Sequence, residues 1–422
     1  MSPTVFFAFL GGLLALAFAA NRLYRLTRVP DVIVLMAVGL VVGPVLGWIK
    51  AAEFEPITHI LGTLALILIL FEGGLELNLR DTLSHFPGGV MLAIVGYFVS
   101  MGLVAAVAWK GHMFALRPAL LIGAVLGCVS SSIVLPILQQ IKISRPVRLT
   151  LLIEASLGDV LGVLTVSVLL IVGGAGKAAL TGFVAGLLSK LLVCVLAAAV
   201  IGWLWSRLLH ILSEQRFWQV MTFAIVLLVY AAAQAASHGG LIAVLVFGLA
   251  LANAPKKDPR FLASTRLDDV EPEHHLQILS FHSELAFLVR SFFFILLGVV
   301  VQISGLRGYA LLTAGCLGAL IAARWIAVKS SSWAWGEKDS REKQVALLLF
   351  PRGLITAVLA IEVIGARGDA FAFLPALAFA IILFTNVLAV IASVRAGPNA
   401  GEEPPRGLSG PAGDHEVART AS

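Results

Sequence analysis

Thirteen apolar runs, each about the length of a membrane-spanning helix, follow one another along this 422-residue chain. They lie at roughly 4–20, 30–48, 57–75, 86–109, 118–139, 148–173, 178–206, 217–236, 239–254, 283–303, 308–328, 344–363 and 370–394. A spanning helix needs about 20 mostly apolar residues. Inside hydrocarbon every backbone N–H and C=O must find its partner within the protein, and a helix does this within one segment. The runs therefore predict an all-α polytopic membrane protein. Composition agrees: 59% of residues are hydrophobic and only 13% charged, against about 25% charged in soluble domains. Mean hydropathy is +0.98. A soluble enzyme, a disordered chain and a nucleic-acid binder are excluded, although the net charge is +6.

That charge is distributed as a membrane topology would distribute it. With the N-terminus outside, twenty of the 30 Lys and Arg residues fall in inner loops and the tail, and six in outer loops. Basic residues concentrate on the cytoplasmic side, so the expected placement is a bacterial-type inner membrane with the C-terminus cytoplasmic. No basic stretch precedes the first apolar run, and Arg22, Arg25 and Arg28 follow it. A signal peptide has the opposite order, so this run reads as a retained first span. Cys128, Cys194 and Cys316 are scattered in apolar runs and suit packing, not disulfides or metal. From about 396 to 422 the chain is rich in Gly and Pro and reads as a disordered cytoplasmic tail.

Ionisable residues at bilayer depth are costly and mark function. The sixth run carries two, Glu154 and Asp159. Five residues turn a helix through about 500°, which sets the two side chains about 140° apart, facing different neighbours. Asp159, near mid-membrane, reads as a carboxylate that binds a cation when ionised and a proton when not. A structural Asp paired to a buried base or to backbone amides is the other reading. Ser156 lies on its side of the helix.

In the fifth run, Ser130, Ser131 and Ser132 precede Pro136. Pro136 has no N–H, so the Ser132 carbonyl loses its helical donor, and the serines compete for backbone groups. Freed carbonyls and hydroxyls suit a small hard cation. The twelfth run repeats the device with Pro351-Arg352-Gly353. Two interrupted spans in corresponding halves point to a transporter built from inverted repeats. They are seven spans apart, so they cross the membrane in opposite directions. Arg324, late in the eleventh run, needs a buried anion, with Glu154 the natural partner and Arg352 the runner-up for that carboxylate. Arg290 reads as a snorkelling side chain. Glu72, near the end of the third run, reads either as a lining of the cytoplasmic approach or as a solvated helix end.

Five stretches resemble those of the monovalent cation:proton antiporter superfamily, the sodium/hydrogen exchangers and their potassium/proton relatives. They are FEGGLELNLRD at 71–81, SSSIVLP at 130–136, IEASLGD at 153–159, SFFFILLGV at 291–299 and PRGLITAVLA at 351–360. The resemblance covers nearly the whole chain, about residues 5–395. It implies that Asp159 is the ion- and proton-binding aspartate and that the break around Ser131 offers it oxygen ligands, with Ser130, Ser132 and Ser156 close by. It implies a structural salt bridge between Glu154 and Arg324, and supporting roles for Glu72, Arg352, Pro136 and Pro351. It also implies a moving core (about 86–173 and 308–395), a dimer domain (about 1–85 and 217–303) and a linker helix (about 178–206).

Two positions depart from the family pattern. Gly158 stands where relatives carry Asn or Asp, and Ala155 where they carry a hydroxyl. A single carboxylate implies electroneutral exchange. The serine triplet is similar to the potassium/proton branch. The implied activity is antiport of Na⁺ or K⁺ against H⁺ by alternating access, in a homodimer within the lipid bilayer, with no cofactor and no enzymatic chemistry. A cation channel or uniporter on the same scaffold is the alternative.

Overall fold

The computed structural model describes residues 11–20, 22, 30–48, 51–76, 86–111, 114–172, 177–212, 217–237, 239–254, 271–301, 308–331 and 340–397. Among these residues the chain forms fifteen α-helices and no β-strand. They are α1 (Gly11–Ala20), α2 (Asp31–Leu40), α3 (Ala51–Glu76), α4 (Phe86–Lys110), α5 (Leu116–Gly127), α6 (Ser131–Gln140), α7 (Arg145–Val172), α8 (Lys177–Leu212) and α9 (Trp218–Ser237). Then follow α10 (Gly240–Asn253), α11 (Glu271–Val300), α12 (Ala310–Ser330), α13 (Ser340–Leu348), α14 (Leu354–Arg367) and α15 (Leu374–Ala396).

Fifteen helices account for thirteen spans because two spans are split. The fifth is α5 and α6, and the twelfth is α13 and α14. Eight of the helical stretches are long and apolar enough to cross a bilayer, and four shorter apolar helices accompany them. The start of the first span and the tail beyond residue 397 lie outside the described residues.

The helices pack in two groups. In one, α4 packs against α5, α7 and α12, α7 against α5, α6 and α14, and α15 against α12, α13 and α14. In the other, α3 packs against α10 and α11, α2 against α11, and α10 against α8 and α9. The principal seam between the groups is α14 against α3.

Small residues hold the second group together. In lipid there is no hydrophobic drive between helices, so close backbone approach supplies the attraction. Gly39 of α2 meets Gly298 of α11: a Cβ on Gly298 would lie 2.8 Å from the Leu40 nitrogen and overlap the Met36 carbonyl. Gly74 of α3 meets Gly248 of α10 in the same way.

Helix ends in the first group are capped by side chains from other helices. Glu342 of α13 accepts from the Ser144 N–H at 2.8 Å and its hydroxyl at 3.0 Å, placing a carboxylate at the positive start of α7. Arg341 donates to the Arg395 and Ala396 carbonyls, both at 2.8 Å, at the negative end of α15.

Gly298→Leu should cost about 3 kcal/mol through overpacking against backbone and sharply reduce the yield of monodisperse protein. Gly318→Ala, on α12 with no atom within 4 Å of the added Cβ, should be tolerated. Melting of the two detergent-solubilised variants checks both.

Candidate ion-binding site

The two interrupted spans cross at their breaks. Residues 128–130 are extended, with φ −82° and ψ 138° at Cys128 and φ −86° and ψ 116° at Ser130. Residues 349–353 are likewise non-helical. The stranded Ser130 N–H donates to the Pro351 carbonyl at 2.9 Å, so each break supplies a partner to the other. Gly353 permits the approach, because a Cβ there would overlap the Ser130 hydroxyl. The Cys128 thiol lies 3.5 Å from the Thr356 hydroxyl of α14.

The interruption runs into the serine triplet and ends at Ser131, where the break was expected. Pro136, which frees the Ser132 carbonyl, lies inside α6, the sixth of that helix's ten residues. Its effect is local. The Ser132 carbonyl, deprived of its helical donor, accepts instead from Arg290 Nη1 at 3.4 Å. The helix restarts at Ser131, and the Ser130 N–H just ahead of it is turned to the Pro351 carbonyl of the other break.

Asp159 lies at mid-length of the 28-residue α7 and is buried against the start of α6. Its Oδ2 accepts from the Ser131 N–H at 3.2 Å and the Ser131 hydroxyl at 2.5 Å. The carboxylate thus sits at a helix N-terminus, where unpaired N–H groups and the helix dipole favour negative charge. Its Oδ1 is buried and has no hydrogen-bond partner among the described residues. Ser130 and Ser132 hydroxyls pair with each other at 3.0 Å beside it. Ser156 makes no hydrogen bond to Asp159. Gly158 faces the extended backbone: a Cβ there would sit in contact with it, 3.4 Å from the Val129 nitrogen.

Glu154 and Arg324 form the expected ion pair, both buried. Arg324 does more than neutralise the acid. Nε donates to the Ala346 carbonyl at 2.8 Å and Nη2 to the Leu349 carbonyl at 3.0 Å. The guanidinium therefore caps the C-terminal end of α13 where the twelfth span breaks. Arg352, the runner-up partner of Glu154, is buried within electrostatic reach of that carboxylate but does not pair with it: Nη2 lies 3.5 Å from the Ser100 hydroxyl, and Nε and Nη1 have no hydrogen-bond partner among the described residues. It lies within electrostatic reach of Asp159.

Two residues in the last span escaped the sequence reading. Thr385 accepts from the Arg352 N–H at 3.0 Å, and Asn386 donates to the Arg352 carbonyl at 2.9 Å. Together they take both backbone groups of the unwound Arg352. Their signal was an adjacent pair of polar residues in an otherwise apolar segment. Arg290 was also misread. It does not snorkel: Nη2 lies 3.7 Å from Asp31 of α2, beside its contact with Ser132. Glu72, half-buried on α3, is within electrostatic reach of Arg290.

Among the described residues no group of three or more His, Cys, Asp or Glu could hold a metal ion. The arrangement is one carboxylate with a free oxygen, at the crossing of two broken helices, beside hydroxyls and a charged guanidinium.

Known proteins match the whole of this architecture. The family described as "Sodium/hydrogen exchanger, transmembrane" matches residues 7–396. "Na(+)/H(+) antiporter 1" of Methanocaldococcus jannaschii is 26% identical over 84% of this chain and 82% of its own. A K(+)/H(+) antiporter of Alkalimonas amylolytica is 27% identical over 74% of this chain; the match spans 52% of that relative. The solved structure of the sodium proton antiporter from Methanocaldococcus jannaschii at pH 8 superposes with a TM-score of 0.69, at 21% identity, over 94% of this chain and 96% of that one.

Removing one partner of a buried ion pair leaves an uncompensated charge and costs about 3–5 kcal/mol. Glu154→Ala and Arg324→Ala should each destabilise by that order. The double variant should fall well short of the sum, and a double-mutant cycle on thermal unfolding in detergent measures the difference.

Proposed function

We propose a mechanism from one premise: the chain belongs to the sodium/hydrogen exchanger family, within the monovalent cation:proton antiporter superfamily, and is a multi-pass membrane protein. It exchanges a monovalent cation, Na⁺ or K⁺, for a proton across a cell membrane. The relatives named for sodium and for potassium exchange stand on both sides of that choice.

The observation that carries the reading is Asp159. One oxygen is tied to Ser131 and the other is buried and unpaired. A proton satisfies that oxygen as a covalent O–H. A dehydrated cation satisfies it as a ligand, with the Ser131 and neighbouring hydroxyls as further oxygen donors. The two occupants cannot share it, so each displaces the other. A bare carboxylate moved past apolar helices is expensive. The core therefore moves with Asp159 neutralised by one ligand or the other, and this couples the two fluxes.

Charge bookkeeping supports one-for-one exchange. Glu154 is already neutralised by Arg324. Gly158 supplies no second carboxylate at the crossing. Each half-cycle then carries one positive charge on one carboxylate, and the exchange is electroneutral. The helices packed around α4–α7 and α12–α15 form the moving core. Those around α2, α3 and α9–α11 form the static scaffold, through which the protein dimerises. The N-terminus lies outside and the C-terminus inside, as the basic residues are distributed.

Asp159→Asn should fold and lose exchange to background. Purified protein in liposomes with an internal pH dye, challenged with Na⁺, K⁺ or Li⁺, checks this. Cation-dependent pH recovery in the wild type, absent in the variant and insensitive to clamped voltage, is the expected result. Charge-moving cation flux without proton movement would make the protein a channel or uniporter.

A further inference from the structure

Arg290 joins the two helix groups at the binding break. It stands on α11, in the scaffold group, and donates to the carbonyl of Ser132 on α6, in the core group, at 3.4 Å. That carbonyl is available because Pro136 withholds the helical N–H. The other terminal nitrogen lies 3.7 Å from the Asp31 carboxylate at the start of α2. Glu72 on α3 is a third group within electrostatic reach. The guanidinium is thus shared between scaffold carboxylates on one side and a carbonyl adjoining the Asp159 ligand Ser131 on the other.

Neither contact is short. Both side chains are also partly open, 16% and 15% exposed, whereas the Arg324–Glu154 pair is 3% exposed on each side. A sealed, close pair is a brace. An open, divided pair is a side chain that shifts between partners at small cost.

We propose that Arg290 is a tethered counter-cation. It occupies the Ser132 carbonyl and competes with the transported cation for it, so that the balance between Ser132 and Asp31 sets how readily a cation reaches Asp159 from the side on which α2 begins. This rests on the exchange reading above. A cation that approaches Asp159 along α6 from the Pro136 end meets this carbonyl on the way, because helical carbonyls point toward that end. Two like charges about 4 Å apart repel, and more strongly near a protein surface than in bulk water. The guanidinium must therefore withdraw towards Asp31 and Glu72 before the cation can sit. Arg290 acts through the Ser132 carbonyl and is a positioning residue, not an ion ligand.

The competition gives the two partners opposite signs. Arg290→Gln clears the carbonyl and should lower the cation concentration for half-maximal exchange about threefold or more. Asp31→Asn removes the competing anchor, holds the guanidinium on Ser132, and should raise that concentration by a similar factor. Arg290→Lys, which keeps a cation, should stay near wild type. Maximal rates should move less than half-saturation.

The test uses full-length protein in liposomes, with exchange measured against Na⁺ and K⁺ concentration for the wild type, these three variants and the double variant Asp31→Asn/Arg290→Gln. Opposite shifts, with the double variant matching Arg290→Gln, support the proposal. Should Arg290→Gln fail to fold, Arg290→Met, alone and combined with Asp31→Asn, replaces it. An unchanged half-saturation with a reduced maximal rate assigns Arg290 a structural role and overturns it. So does a rise on Asp31→Asn that persists in the Arg290→Gln background, because Asp31 would then attract cations directly. A wild type that exchanges no cation for protons overturns the exchange reading itself, and this inference with it.

Discussion

A helix that stops in mid-membrane strands backbone groups that lipid cannot satisfy, and here two stopped helices satisfy each other. The Ser130 N–H reaches the Pro351 carbonyl at 2.9 Å, across a gap that only a glycine at 353 allows. The site depends on that contact. It fixes where α6 begins, and so where the Ser131 N–H and hydroxyl point, and so which oxygen of Asp159 is held and which is left over. The second break is completed from outside: Arg324 closes the end of α13, while Thr385 and Asn386 take the backbone groups of Arg352. Arg324, Thr385 and Asn386 each answer a backbone group stranded by an interruption.

Charge at the crossing is arranged on two levels. Glu154 and Arg324 cancel, are sealed from solvent, and bind α7, α12 and α13 into one body. Asp159 is left with a free oxygen and the distant charge of Arg352. In the proposed cycle the first pair makes the core rigid enough to move as a unit, and the second arrangement makes its movement depend on an occupant. Gly158 keeps the number of acids at one. A Cβ at this position would already touch the Val129 backbone of the break.

The span count and the two interruptions were legible because hydropathy and proline act locally along the chain. The Glu154–Arg324 pair was legible for a different reason. Two opposite charges at bilayer depth have few options other than each other. The resemblance placed the break of the fifth span around Ser131, beside the observed 128–130. Pro136 alone marks only a missing donor, and what the sequence does not show is that the Ser130 N–H finds its partner on another span some 220 residues away. Thr385 and Asn386 were passed over because hydroxyl and amide groups in an apolar run carry no sign of which stranded backbone they serve. Arg290 looked like a snorkelling residue from its depth alone. Its partners, Asp31 and the Ser132 carbonyl, come together only when α2, α6 and α11 are packed.

The central claim is that a cation and a proton compete for the one free oxygen of Asp159. Counting protons released as Na⁺ or K⁺ binds to purified protein, in weakly buffered detergent solution with a pH indicator, addresses it most directly. The account predicts close to one proton released per cation bound at a pH where Asp159 is protonated, and none from Asp159→Asn. Saturable cation binding to the wild type with no proton release would contradict it.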